Sequence, residues 1–185
     1  NTANITGGTI DITGTTITQS NNVSLVLSTV TSNSATVWNI GAGFTLTLTG
    51  TSGSIDGTIN IPAAAILTAA ATGTADIDAD IVLNGGTLDI NEDTSVTSSS
   101  TITHTTGSII DIADTKTLTY EGTAINIDAL ILTLTSAGTA YFTNTNALIL
   151  NHVNSRLLIT GSITINNVSV TANSADQLDG QSTLV

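Results

Sequence analysis

Asp76, Asp78 and Asp80 alternate with Ile77 and Ala79. On a strand, alternation at period two puts all three carboxylates on one side, with neighbours about 6.6 to 7 Å apart. Ca²⁺ or another hard cation would be held there if further oxygens converged on the row, since about six to eight are needed. Asp76, Asp78 and Asp80 are therefore the candidate metal ligands, set against the plainer reading of a solvated acidic face. The loop pattern of an EF-hand is absent, as is that of the nonapeptide Ca²⁺ repeat. Asn91, Glu92 and Asp93 form a second acidic turn with the same two readings.

Catalytic chemistry finds little to work with. Paired carboxylates suit glycoside cleavage, but lyases built on parallel coils usually add basic groups, and Lys116 and Arg156 are the only two here. His104 and His152 belong to no metal-spacing motif and read as ordinary strand or turn residues. There is no phosphate-binding loop, no dinucleotide fingerprint and no recognisable nucleophile–base constellation. The chain is expected not to be an enzyme. Thr45/Thr47/Thr49, Thr117/Thr119 and Thr133/Thr135 suggest ranks of Thr such as some ice-binding solenoids use. They do not recur often enough for that, and β-propensity on an outward face accounts for them. Three glycosylation sequons begin at Asn4, Asn22 and Asn167, weak evidence for secretion in a chain so rich in Asn and Thr.

The elements that must position these groups are short strands. Leu88-Asp89-Ile90, Ile110-Asp111-Ile112 and Leu132-Thr133-Leu134 begin at 88, 110 and 132, each 22 after the last. Ile102-Thr103-His104, Leu118-Thr119-Tyr120 and Ile125-Asn126-Ile127 fall between them. A fixed return distance implies strands stacked coil upon coil. Asp89 and Asp111 would then lie one above the other and repel, unless a cation or a raised pKa relieved them. Position 154, where the next triplet is due, is Asn, so the period is degenerate.

Composition agrees. Aromatics are 3% and charged residues 9% of the 185 residues, against about 25% charged in a typical domain. Ile, Leu, Val and Thr dominate, which favours pleated surfaces. A net charge of −12 excludes nucleic acid as partner, because two cations cannot displace the counterions of a phosphate backbone. Anionic membrane surfaces are excluded likewise, and membrane insertion is not expected, as no apolar run reaches about 18 residues. There is no Cys, so redox compartment is unreadable, and no Met even at position 1, as in a processed or excised piece of something longer.

Strands of about four residues recur too closely for crossover helices. Gly50 to Gly57 reads as turns, and the Ala runs of 62–71 as small side chains where coils pack closely, with a short helix as the other reading. The expected organisation is a shaft over 1–170, followed over 171–185 by a linker or the start of a further module. The fold class is all-β: an elongated parallel β-helix (β-solenoid), single-chain or intertwined as a trimeric fibre. A β-sandwich fits less well, for want of hairpin signals.

Two stretches carry a resemblance. The run Ala172 to Gln181, with Leu178-Asp179-Gly180, resembles an N-A-D-x-L-D-G-x element of bacteriophage tail fibres, and Asn4 to Ile10 and Gly53 to Ile59 are similar to Gly-Thr-Ile phrases of virion surface proteins. The match covers about 25 residues, and only the L-D-G element is moderately specific. The resemblance implies an elongated homotrimer or filament on a virion, used to attach to a host-cell glycan or protein. Gly85 to Ile90 equally resembles phrases of secreted β-helical adhesins, which implies an extracellular or cell-surface location.

Overall fold

The computed structural model describes residues 2–5, 9–127, 130–144, 147–150, 152, 154–166, 169–172 and 178–184. Strands follow one another coil by coil. The first coil holds β1 (Thr2–Ile5), β2 (Ile10–Asp11) and β3 (Thr16–Thr18), and the second β4 (Asn22–Val26), β5 (Val30–Thr31) and β6 (Val37–Asn39). The third has β7 (Thr45–Thr49) and the long β8 (Ser52–Pro62); the fourth has β9 (Ile66–Ala69) and the equally long β10 (Thr74–Asn84). Then come β11 (Thr87–Ile90), β12 (Thr94–Val96) and β13 (Ile102–His104), followed by β14 (Ser108–Ile112), β15 (Thr117–Tyr120) and β16 (Ile125–Asn126). Above them lie β17 (Ile131–Asn144) and β18 (Ala147–Leu150), β19 (Arg156–Asn166) and β20 (Ser169–Ala172), and finally β21 (Leu178–Leu184).

Every ladder between these strands is parallel, and together they make three faces. Face A rises through β1-β4-β7-β9-β11-β14-β17-β19-β21. Face B runs through the first half of β10, β12, β15 and the second half of β17. Face C joins β3, β6, the second halves of β8 and β10, and β13, with β16-β18-β20 above as a separate sheet. The chain is a β-solenoid, as its triplets indicated.

The core is a set of vertical side-chain columns. On face A one column reads Val23, Leu46, Leu67, Leu88, Ile110, Leu134, Ile159, and its neighbour reads Leu25, Leu48, Ala69, Ile90, Ile112. On face C, Ile17, Trp38, Ile59, Ile81 and Ile102 stack; on face B, Ile55, Ile77, Val96 and Tyr120. All but Val23 and Ile17 are buried. Each fully buried Leu or Ile stabilises the coil by about 1.5–3 kcal/mol relative to exposure, and the parallel amides satisfy the backbone between coils. Trp38, Tyr120 and Phe142 sit inside this aliphatic seam, so few rings suffice.

Two local expectations need correction, and two further stretches can be placed. The stretch 50–57 is mostly strand: β8 passes through Gly53 and Gly57, which take positive φ (92° and 110°) and let the chain turn a corner without breaking its ladder. The 22-residue spacing is not the register throughout, since Ile110 pairs with Leu134 and Leu132 with Leu157. That longer return absorbs the missing triplet at 154. Within 62–71 there is no helix. Ala65, Ala69 and Ala71 are buried and Ala63–Ala64 form a turn, as close coil packing requires. In the stretch 171–185, Leu178–Leu184 runs parallel to β19.

Candidate functional site

The acidic row lies on β10, and β10 turns a corner. Asp76 pairs with Ser95 of β12 on face B, whereas Ile81 pairs with Ile102 of β13 on face C. The bend falls between Ile77 and Ile81, where Ala79 lies opposite Gly57 on the coil below. Asp76 therefore lies on face B, while Asp78 and Asp80 lie within the bend, so the three do not form one flat rank.

Two of the carboxylates are held by hydroxyls. Thr97 Oγ1 donates to Asp78 Oδ1 at 2.6 Å. Asp80 Oδ1 accepts from both the amide and the hydroxyl of Thr101, each at 2.8 Å. These charge-assisted bonds fasten the 97–101 corner to β10. Asp76 has its pKa raised, first by burial and then by Asp78 and Glu121. Asp56 is the register partner of Asp78 one coil below and receives the Gly57 amide at 2.6 Å. Among the described residues, no group of three or more His, Cys, Asp or Glu gathers in a way that could hold a metal ion.

The second acidic turn is tied to the next coil. Lys116 Nζ meets Glu92 Oε2 at 2.5 Å, and the Thr117 amide donates to Asp93 Oδ1 at 2.8 Å. The hydrogen bond to Glu92 is the main reason the ammonium pKa is raised. On face A, Asp89 and Asp111 do stack, as register partners. Thr68 Oγ1 and Asn91 Nδ2 each donate to Asp89 Oδ2 at 3.0 Å. The Asp111 carboxyl is pushed up by burial first and by Asp89 second.

The histidines are not brought together. His152, after β18, is exposed, and its Nδ1 accepts the Asn154 amide at 3.1 Å. His104, the last residue of β13, is buried, and both ring nitrogens lack a hydrogen-bond partner. Sequence reading treated it as an ordinary strand or turn residue. The signal was its place two after Ile102, which puts it on the inner side. Of the sequons, the one at Asn22 is described in full: Asn22 Oδ1 accepts the Thr45 amide at 2.9 Å, capping the coil above. Thr6, Asn167 and Val168 lie outside the described residues, as do residues 173–177 of the stretch that carries the fibre resemblance.

The fold thus defines a class, the three-faced parallel β-solenoid with polar side chains tying coil to coil. No family model, curated protein or solved structure matches the chain. Among the described residues no helix is long and apolar enough to cross a membrane.

Proposed function

We propose that this chain is a stiff structural segment of a phage tail fibre or similar virion appendage, a spacer for host attachment. The observation that carries the reading is the face A ladder, which runs through every coil from β1 to β21 above two aliphatic columns. Bending such a stack breaks amide pairing and core contact together, so a rod of this build transmits force and keeps its ends apart. The polar side chains on its surface bind neighbouring coils, which suits a scaffold and calls for no catalytic residue. The L-D-G element favours the fibre, and with it a homotrimer. The phrase at Gly85–Ile90 favours a second reading, a secreted bacterial adhesin or filament subunit.

Mass in solution tests this. A trimer that survives SDS without heating supports the fibre reading, with self-association as its first partnership and a host glycan or protein as its target. A monomer overturns the trimeric fibre and leaves the adhesin. Turnover of a polysaccharide would remove the scaffold role altogether.

A further inference from the structure

His104 stands where an aliphatic residue belongs. Its column on face C runs from Ile61 through Leu83 to His104, and Ile127, fully buried, follows one coil later. The imidazole is 7% exposed, and neither nitrogen makes a hydrogen bond of good geometry. A neutral ring tolerates such a place at a cost; a charged one does not.

The same level of face C carries a seam. β13 pairs downward with β10, but among the described residues no ladder joins it upward to β16, which begins the separate sheet β16-β18-β20. The Ile102 amide of β13 donates instead to the buried Tyr120 hydroxyl at 3.1 Å. At this height the other two faces stay laddered, through β11-β14-β17 and β12-β15-β17. One side of the rod can therefore part while two hold.

We infer that His104 and the β13/β16 seam form an acid-sensitive hinge, which opens face C locally when the imidazole takes up a proton. Burial already sets the ring's pKa below its ordinary value, against weaker opposing hydrogen bonding to the Thr105 and Asn126 backbone, groups that lie near the ring without good hydrogen-bond geometry. The solvated ring of an opened seam binds a proton more readily than the closed one, so falling pH favours opening. No charged side chain is among the causes of that shift. Of the packed elements, β10 bears Asp76, Asp78 and Asp80, of which Asp78 and Asp80 are bound to Thr97 and Thr101; β15 brings Tyr120; β13 and β16 bring no other titratable group.

Hydrogen exchange of the whole chain from pH 7.5 to 5.0, corrected for intrinsic rates, tests the hinge. Protection at 102–105 and 125–127 should fall about tenfold or more relative to Leu88–Ile90 on face A. His104→Leu and His104→Gln should each abolish that difference. An unchanged pH response in either folded variant overturns the hinge, as does equal loss of protection on all three faces.

Discussion

Asp89 and Asp111 face each other across adjacent coils in an outward column with Ser24, Thr47, Thr68, Thr135 and Thr160, and with Asn4 in register below Ser24. Two like charges directly opposite on a ladder repel, and the Asp111 pKa is raised, by burial first and by Asp89 second. Its folded pKa lies above the unfolded one, so the folded chain holds that proton more tightly. The stability contributed is complete below the unfolded carboxyl range and is lost as pH rises through the folded value. Asp111→Asn should therefore stabilise the protein at pH 7, by about 0.5 kcal/mol because solvent screens the pair. At pH 3 the gain should vanish. Urea melts at the two pH values check this.

The acid row on β10 yields a second expectation. Asp78 and Asp80 already accept bonds from Thr97 and Thr101, and the bend between Ile77 and Ile81 takes them off a flat rank with Asp76. Millimolar Ca²⁺ should leave the melting temperature unchanged. Asp80→Ala should cost about 1–2 kcal/mol by freeing the Thr101 amide and hydroxyl. A Ca²⁺-dependent rise in melting temperature, lost in Asp78→Ala, would restore the cation site.

How much of this was legible follows from what each signal depends on. Apolar-x-apolar triplets report which side chain points inward, so the solenoid and the Asp89/Asp111 stack could be read directly. The corners could not. β8 and β10 alternate without interruption through Gly57 and Ala79, so nothing in the pattern shows that one strand serves two faces. Register also escaped, because Ile110 can sit under Leu132 or Leu134 with equal hydrophobic sense, and the loop 113–116 decides. His104 was visible by position but not by character, since a polar residue at an inward site reads as a pattern break.

Trp38 and Gln19 form an internal polar pair. The indole Nε1–H donates to Gln19 Oε1 at 2.9 Å, and Gln19 Nε2 donates to the Thr45 carbonyl at 2.8 Å, spanning successive coils. Both side chains are buried. Trp38→Phe leaves the glutamine oxygen without its donor, and a stability loss of about 1–3 kcal/mol is expected. Gln19→Leu strands the indole N–H at similar cost. The double variant should lose less than the sum, which a double-mutant cycle by chemical denaturation measures.

Gly57 and Gly14 separate the two demands that a corner places on a glycine. Gly14 has φ +65° with nothing within 4 Å of an added Cβ, whereas Gly57 has φ +110° and a Cβ there would drive into the Thr36 carbonyl oxygen. That carbonyl accepts the Thr58 amide at 2.8 Å, so it cannot retreat without loosening the coil. Gly14→Ala should cost about 1 kcal/mol, the left-handed penalty alone. Gly57→Ala should cost clearly more, about 3 kcal/mol or above, since strain and collision add. Thermal melts of the two variants decide it. Equal losses would mean that β8 turns its corner without the close approach to Thr36.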